Sequence, residues 1–383
     1  MSDIPPKKLI IPYIPDEICL EIFKRCDAKT LRNIKATSRC WRQTLSSYEF
    51  VSEVATSWKS KGCSLISHFG FSKTLNSSKD WVLNMDPVYG EATKIDLPML
   101  TPGNGWFRIV GVENGIFLFR FSSTGDRSYL LVWNPAIGST KAIPDPPRHY
   151  CRKCAFLYLF AYFPNSVNYG IVHLYKRDQR EKTWTLTLYS SAEQNWLVNV
   201  SCPEYVRTLD PNYVSLDGVM YWMNWRENDR DTSPTFIVSF SMLTFEFGQI
   251  FVPAEATANY HGLMIHGGKL CLGAVNYDHE RYSCTMWEID SLGETPSWNK
   301  LLTYDGYGHP YLLSMFIDGD VIQVLEKYYQ VEDLPDMTHT INHITRWSPL
   351  GKTQYNLKWM EFDNFVRMRS LSTYYESPFP VGG

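Results

Sequence analysis

The sequence predicts a small all-helical N-terminal unit followed by a large all-β body built from repeated short sheets. Three observations carry that expectation. The 383 residues are 44% hydrophobic and 15% aromatic, with 13 Trp, 24 Tyr and 20 Phe, a composition that buries a large core and suits pleated strands. The 23 Gly and 22 Pro supply the turns between such strands. Apolar residues in the first sixty positions recur at helical spacing, whereas beyond them paired strand-like runs recur at a period near fifty.

In the N-terminal unit, Pro15 can occupy a first helical position, with Asp16 and Glu17 behind it favourably placed for the helix dipole. Ile18, Cys19, Ile22 and Phe23 then share one face of a helix that ends near Cys26. Asp27 is an N-cap candidate for a second helix carrying Leu31 and Ile34, and Trp41 and Leu45 continue the apolar face beyond Ser38. A fourth segment places Phe50, Val51, Val54, Ala55 and Trp58 on one stripe. So few helices bury little area alone, so the unit is expected to lean on a partner or on the rest of the chain.

The run Ile14-Pro15-Asp16-Glu17-Ile18-Cys19-Leu20-Glu21-Ile22-Phe23, then Ala28 to Lys35, then Arg39-Cys40-Trp41-Arg42, resembles an F-box over about forty residues. It departs from the family's usual Leu-Pro at Cys26-Asp27 and from its usual Val-Cys at Thr37-Ser38. The resemblance implies an F-box domain over residues 8–60 that binds a Skp-type linker subunit, with Ile14, Pro15, Ile18, Ile22, Leu31, Ile34 and Trp41 buried partly within the unit and partly against that partner.

The body repeats. Met85, Trp133, Tyr189, Phe240, Trp287 and Trp347 each mark a strand, a polar turn and a second apolar strand, at intervals of 47 to 60 residues. A second series lies out of phase with the first: Asn114-Gly115, Asp217-Gly218, Gly267-Gly268 and Asp318-Gly319, each followed by an apolar run. Such dipeptides form tight hairpin turns. Two hairpins per fifty residues make a four-stranded sheet, and several such sheets arranged radially protect their edges as a β-propeller. A β-sandwich also accepts many short strands but does not explain two interleaved series at one period.

The period is close to that of kelch repeats. The segments Val132-Trp133-Asn134-Pro135, Val214 to Trp222 and Ile237-Val238-Ser239-Phe240 resemble the plant F-box-associated interaction family, whose members place a kelch-like body behind an F-box. The fold expectation is therefore an F-box followed, over residues 61–383, by an all-β, kelch-like β-propeller of about six blades.

A net charge of -3, from 37 basic and 40 acidic residues, provides no field to gather a polyanion, so nucleic acid is not an expected partner. The longest apolar run, Cys154 to Phe163, is half the length of a membrane helix and reads as a buried strand. Nine scattered Cys and an N-terminus without an apolar leader point to a reducing compartment, cytoplasmic and/or nuclear. Chemistry is sparse. Phosphate-loop, nucleophile-elbow and complete dinucleotide motifs are absent. His339 and His343 lack an intervening Glu and read as part of a polar loop, and Cys151-Arg152-Lys153-Cys154 has no second pair at zinc spacing. No catalytic residue, cofactor or metal is expected.

The resemblance implies an interaction protein, the substrate-recognition subunit of an SCF-type, cullin-RING ubiquitin ligase that makes no bond itself. The aromatic repeat markers are expected to be structural, and the target to be read by loops at one propeller mouth. Among these, Asn224 to Pro234 places Arg226 and Arg230 beside the possible anchor Trp225. A carbohydrate-binding or carbohydrate-acting propeller is the alternative, since the aromatic run Tyr221 to Trp225 could stack a sugar.

Overall fold

The structure is a computed structural model that describes residues 14–60, 64–71, 81–85, 92–95, 97, 106–122, 128–144, 146, 156–176, 178, 180–206, 212–224, 236–256, 258, 260–278, 281–291, 296–307, 309–317, 320–331, 334–347, 354–356 and 366–381. Four helices come first: α1 (Asp16–Phe23), α2 (Ala28–Thr37), α3 (Arg39–Thr44) and α4 (Tyr48–Lys59). Pro15 is the N-cap of α1 and not its first helical residue, because its extended backbone (φ -58°, ψ 147°) precedes the first turn. That helix stops at Phe23, slightly earlier than the apolar pattern suggests. Asp27 caps α2, its Oδ1 accepting the Thr30 N–H at 2.7 Å, and Ser47 Oγ accepts the Phe50 N–H at the start of α4.

Twenty-four strands follow, in six four-stranded antiparallel sheets among the described residues. The chain first lays down β1 (Ser64–Phe71), β2 (Trp81–Met85) and β3 (Ala92–Lys94). Blade 1 is β4 (Trp106–Glu113), β5 (Ile116–Ser122), β6 (Ser128–Asn134) and β7 (Ser139–Ile143); blade 2 is β8 (Phe156–Tyr162), β9 (Tyr169–Tyr175), β10 (Thr185–Ser190) and β11 (Asn195–Ser201). Blade 3 comprises β12 (Tyr213–Leu216), β13 (Val219–Asn224), β14 (Phe236–Ser241) and β15 (Phe247–Phe251). In blade 4 the strands are β16 (Tyr260–His266), β17 (Lys269–Asp278), β18 (Arg281–Ser291) and β19 (Ser297–Tyr307). Blade 5 contains β20 (His309–Ile317), β21 (Asp320–Val331), β22 (Leu334–Trp347) and β23 (Gln354–Asn356). The last strand, β24 (Val366–Tyr374), returns to pair with β1 and completes the sixth sheet in the order β24-β1-β2-β3.

That pairing closes the ring, because one blade draws its inner strand from the end of the chain and its three outer strands from the start. The first strands of neighbouring blades adjoin around the axis: β4 with β8, β8 with β12, β12 with β16, β16 with β20, and β24 with β4. Closure removes the exposed lateral edges that an open array of sheets would leave.

The two sequence series have distinct structural roles. All six markers, Met85 through Trp347, fall in the third strand of a blade. The dipeptides Asn114-Gly115, Asp217-Gly218 and Gly267-Gly268 are the turns between first and second strands, with positive φ at every one of these positions (49° and 70°, 49° and 76°, 55° and 75°). Two consecutive left-handed residues match the twist of a two-residue hairpin. Asp318-Gly319 lies outside the described residues, though Ile317 and Asp320 on either side pair directly. The expected buried strand near Cys154–Phe163 is β8, whereas His339 and His343 lie within β22 and not in a loop, because the ladder with β21 continues past both. Cys151 and Cys154 lie outside the described residues.

Period-two alternation explains why blades look apolar on both faces. On β13 and β14, Met220, Trp222, Val238 and Phe240 pack toward blade 2 against residues such as Val172 and Leu188, while Tyr221, Met223 and Ile237 pack toward blade 4 against Leu272 and Trp287. Each sheet is sandwiched between two others, so a strand such as β9 is buried at all seven positions. The aromatic run Tyr221 to Met223 is thus consumed by inter-blade packing and offers no stacking platform.

Along the axis, Ser215 Oγ on β12 donates to Glu113 Oε1 on β4 at 2.6 Å, joining blades 1 and 3 past the intervening blade. Beside them the Tyr213 hydroxyl accepts the Phe160 N–H at 2.6 Å and donates to the Phe160 carbonyl at 3.1 Å, satisfying the inner edge of β8. Gly111, at a bulge in β4, permits this: a Cβ there would collide with the Tyr213 hydroxyl.

Candidate partner-binding surfaces

None of the residues of helix α1 is buried. Leu20 and Phe23 turn inward against the core of Ala28, Leu31, Leu45, Phe50, Val54 and Trp58. Ile14, Ile18 and Ile22 turn outward and are 49%, 52% and 49% exposed. Ile18 and Ile22, four residues apart, share one face of α1 with a drift of only about 40°, and Ile14 and exposed Pro15 lie just before its first turn. Three exposed isoleucines within nine residues set this segment apart from an isolated surface leucine such as Leu243.

The other residues expected to contribute to linker binding are placed differently. Leu31 is 2% exposed at the centre of the helical core and supports α1 from behind. Ile34 and Trp41 are half-buried against the same core, with the Trp41 ring edge-on to Phe23 at 5.0 Å and 89°. Lys24 Nζ, ion-paired with Glu21 at 2.8 Å and Glu53 at 2.7 Å, ties the end of α1 to α4. Hydrogen bonding to these carboxylates raises the Lys24 pKa. Burial pushes the Lys35 ammonium on α2 down to about 8.

The helical unit sits on the propeller face where first-to-second and third-to-fourth strand turns emerge. Ala136 and Ile137, in the β6–β7 turn, pack into the helical core, and Arg32 Nη1 donates to the Ile137 carbonyl at 2.7 Å. Tyr48 OH donates to Asn165 Oδ1, in the β8–β9 connection, at 3.4 Å. Turns at this end are short. By strand order the connections at the opposite end vary from one to twelve residues, with 144–155, 202–212 and 225–235 long and 279–280, 308 and 332–333 short. Asn224 and Phe236 pair with one another at that far end of blade 3. Trp225, Arg226 and Arg230, the expected target-reading residues, lie between them and outside the described residues.

Burial pushes the thiols of Cys202, Cys271 and Cys284 up to about 12, far from the thiolate a nucleophile needs. Among the described residues no group of three or more His, Cys, Asp or Glu is arranged to hold a metal ion. No helix among them is long and apolar enough to cross a membrane.

The fold defines a propeller protein with six four-stranded sheets among the described residues and a helical unit seated on one face. Sequence comparison places it more narrowly. Residues 96–360 match the F-box associated beta propeller domain family, and residues 11–50 match the F-box-like family. The chain belongs to the F-box-associated β-propeller family, with an F-box at its N-terminal end. It is 25% identical over 334 residues to an Arabidopsis thaliana F-box/kelch-repeat protein, covering 84% of this chain and 87% of that one. A putative F-box protein of the same plant is 23% identical over 364 residues, covering 87% and 91%. Among solved structures, TolB from Acinetobacter baumannii shares the propeller fold at a TM-score of 0.50 and 9% identity, over 81% of this chain and 66% of TolB.

Proposed function

We propose that this chain is the substrate-recognition subunit of an SCF-type ubiquitin ligase, acting in the cytoplasm and/or nucleus and making no bond itself. The observation that carries the reading is the set of exposed isoleucines, Ile18 and Ile22 on an F-box helix whose other face is already packed and Ile14 just before its start. That set, with Pro15, docks on an apolar groove of a Skp-type linker, while Leu31, Ile34 and Trp41 hold the helix in position. The linker connects the complex to a cullin-RING assembly. The propeller holds a target protein near the conjugating enzyme, so the gain is one of effective concentration and orientation.

The target is read at the face away from the helical unit. Support comes from the docked helices at one end and the long connections 144–155, 202–212 and 225–235 at the other, where recognition can vary without disturbing the blades. Replacing Ile18 and Ile22 together by Asp should reduce co-precipitation of a Skp-type subunit by at least about tenfold. Undiminished recovery with an intact fold would overturn the reading. Changing Arg226 and Arg230 to Ala should leave linker binding intact and lower recovery of target proteins, which comparative mass spectrometry of tagged wild-type and variant chains would measure.

A further inference from the structure

Residues 375–381, which follow the closing strand, are mostly buried. They run back across the propeller face that carries the helices, and they do so through specific contacts. Asn134, fully buried at the end of β6, donates from Nδ2 to the carbonyls of Ser377 and Phe379, both at 2.9 Å. Its Oδ1 accepts from the Ala136 and Ile137 N–H groups at 2.9 and 3.4 Å. One amide therefore holds both the tail and the turn on which the helical core rests.

Further contacts surround that one. Tyr169 OH donates to the Val381 carbonyl and Tyr375 OH to Asn114 Oδ1, each at 2.9 Å. Phe379 and Val381, 3% and 4% exposed, share an apolar cluster with Val51 and Ala55 of α4 and with blade residues Leu118 and Ile171. The Lys59 ammonium at the end of α4 lies 5.9 Å from the centroid of the Tyr375 ring. At Gly115, whose φ is 70°, a Cβ would meet the Tyr375 carbonyl, so the hairpin itself is shaped to admit the tail.

These contacts divide α4 between two bodies. Phe50, Val54 and Trp58 belong to the helical core, whereas Val51 and Ala55 belong to the cluster shared by tail and blades. Ring closure is complete at Tyr374, so the tail adds no strand to any sheet. We propose that residues 375–381 are a strap that locks the helical unit onto the propeller in one orientation. On the ligase reading given above, the strap sets a fixed separation between the linker held by α1 and a target held at the far face.

Hydrogen–deuterium exchange on three forms of the chain tests this: wild type, the chain truncated after Tyr374, and the full-length double variant Tyr169→Phe/Phe379→Ala. Amides of α2 and α4 are expected to exchange at least about tenfold faster in both variants, with β13 to β18 unchanged, because the helices gain a local opening that leaves the ring intact. The double variant decides if the truncated chain does not fold. Unchanged exchange in α2 and α4 overturns the strap, and so does an equal acceleration in β13 to β18, which would make the tail part of the propeller's own stability. Because no partner takes part, loss of linker binding in the Ile18/Ile22 variant bears only on the ligase reading.

Discussion

Helices α1 and α4 are both amphipathic and lie in the same small unit, yet α4 buries Phe50, Val51, Val54, Ala55 and Trp58 while α1 buries nothing. The difference is a matter of how many neighbours each helix has. Helix α4 meets the helical core through Phe50, Val54 and Trp58 and the propeller cluster through Val51 and Ala55, so two of its faces are covered while Glu49, Glu53, Thr56 and Ser57 stay in water. Helix α1 meets only the core, through Leu20 and Phe23, and its outward isoleucines remain in water. On the proposed reading, that exposed apolar area is where the linker docks.

The largest effect should come from breaking the ring beneath both helices. Truncation after Leu325 removes β22, β23 and β24, leaving β1 and β21 without partners on one side. The expected outcome is aggregation, because those edges template further pairing. A monomeric, cooperatively melting fragment in size-exclusion chromatography and calorimetry would refute closure.

Next is the two-faced helix itself. Phe50→Ala should destabilise the helical unit by about 3 to 5 kcal/mol, since it empties a buried core site, and chemical denaturation followed by far-ultraviolet dichroism would report it.

A smaller, pH-dependent effect is expected at Glu113, near the end of α4. Withdrawal from water pushes its carboxyl up to about 7 from an ordinary value of 4.5, partly offset by the Ser215 hydrogen bond and by Lys59. The folded protein thus keeps a proton that the unfolded chain releases, so stability falls as pH rises from about 4.5 to about 7 and then levels off. Glu113→Gln removes that loss. Its stability relative to wild type should grow from near zero at pH 4 to at most about 3 kcal/mol at pH 8 in parallel denaturation curves. A difference independent of pH would show that Glu113 does not titrate in this way.

The smallest stability effect sharpens the comparison most. Ile18→Asp should shift the unfolding free energy by no more than about 0.5 kcal/mol, because the residue is half exposed and leaves no cavity. A loss comparable to that of Phe50→Ala would mean that Ile18 is structural.

Much of this architecture was legible in the sequence because it rests on local chemistry. Asp27 as a cap, the left-handed pairs Asn114-Gly115 and Asp217-Gly218, and the third-strand markers each act within a few residues of themselves. The seven expected linker-binding positions formed one list in the sequence. Only packing separates the outward Ile14, Ile18 and Ile22 from the buried Leu31, because helical spacing shows a shared face without showing what covers it.

The sequence by itself determined that a helical unit precedes a ring of about six four-stranded blades, since periodicity and turn chemistry repeat along the chain. The tertiary structure alone decided that β24 closes the ring with β1, that the β6–β7 turn seats the helices, and that the tail from Tyr375 to Val381 holds them there. Those contacts join residues more than a hundred, and in places more than two hundred, positions apart. No local pattern announces them, because a carbonyl such as that of Phe379 is the same group in every residue until folding brings Asn134 to it.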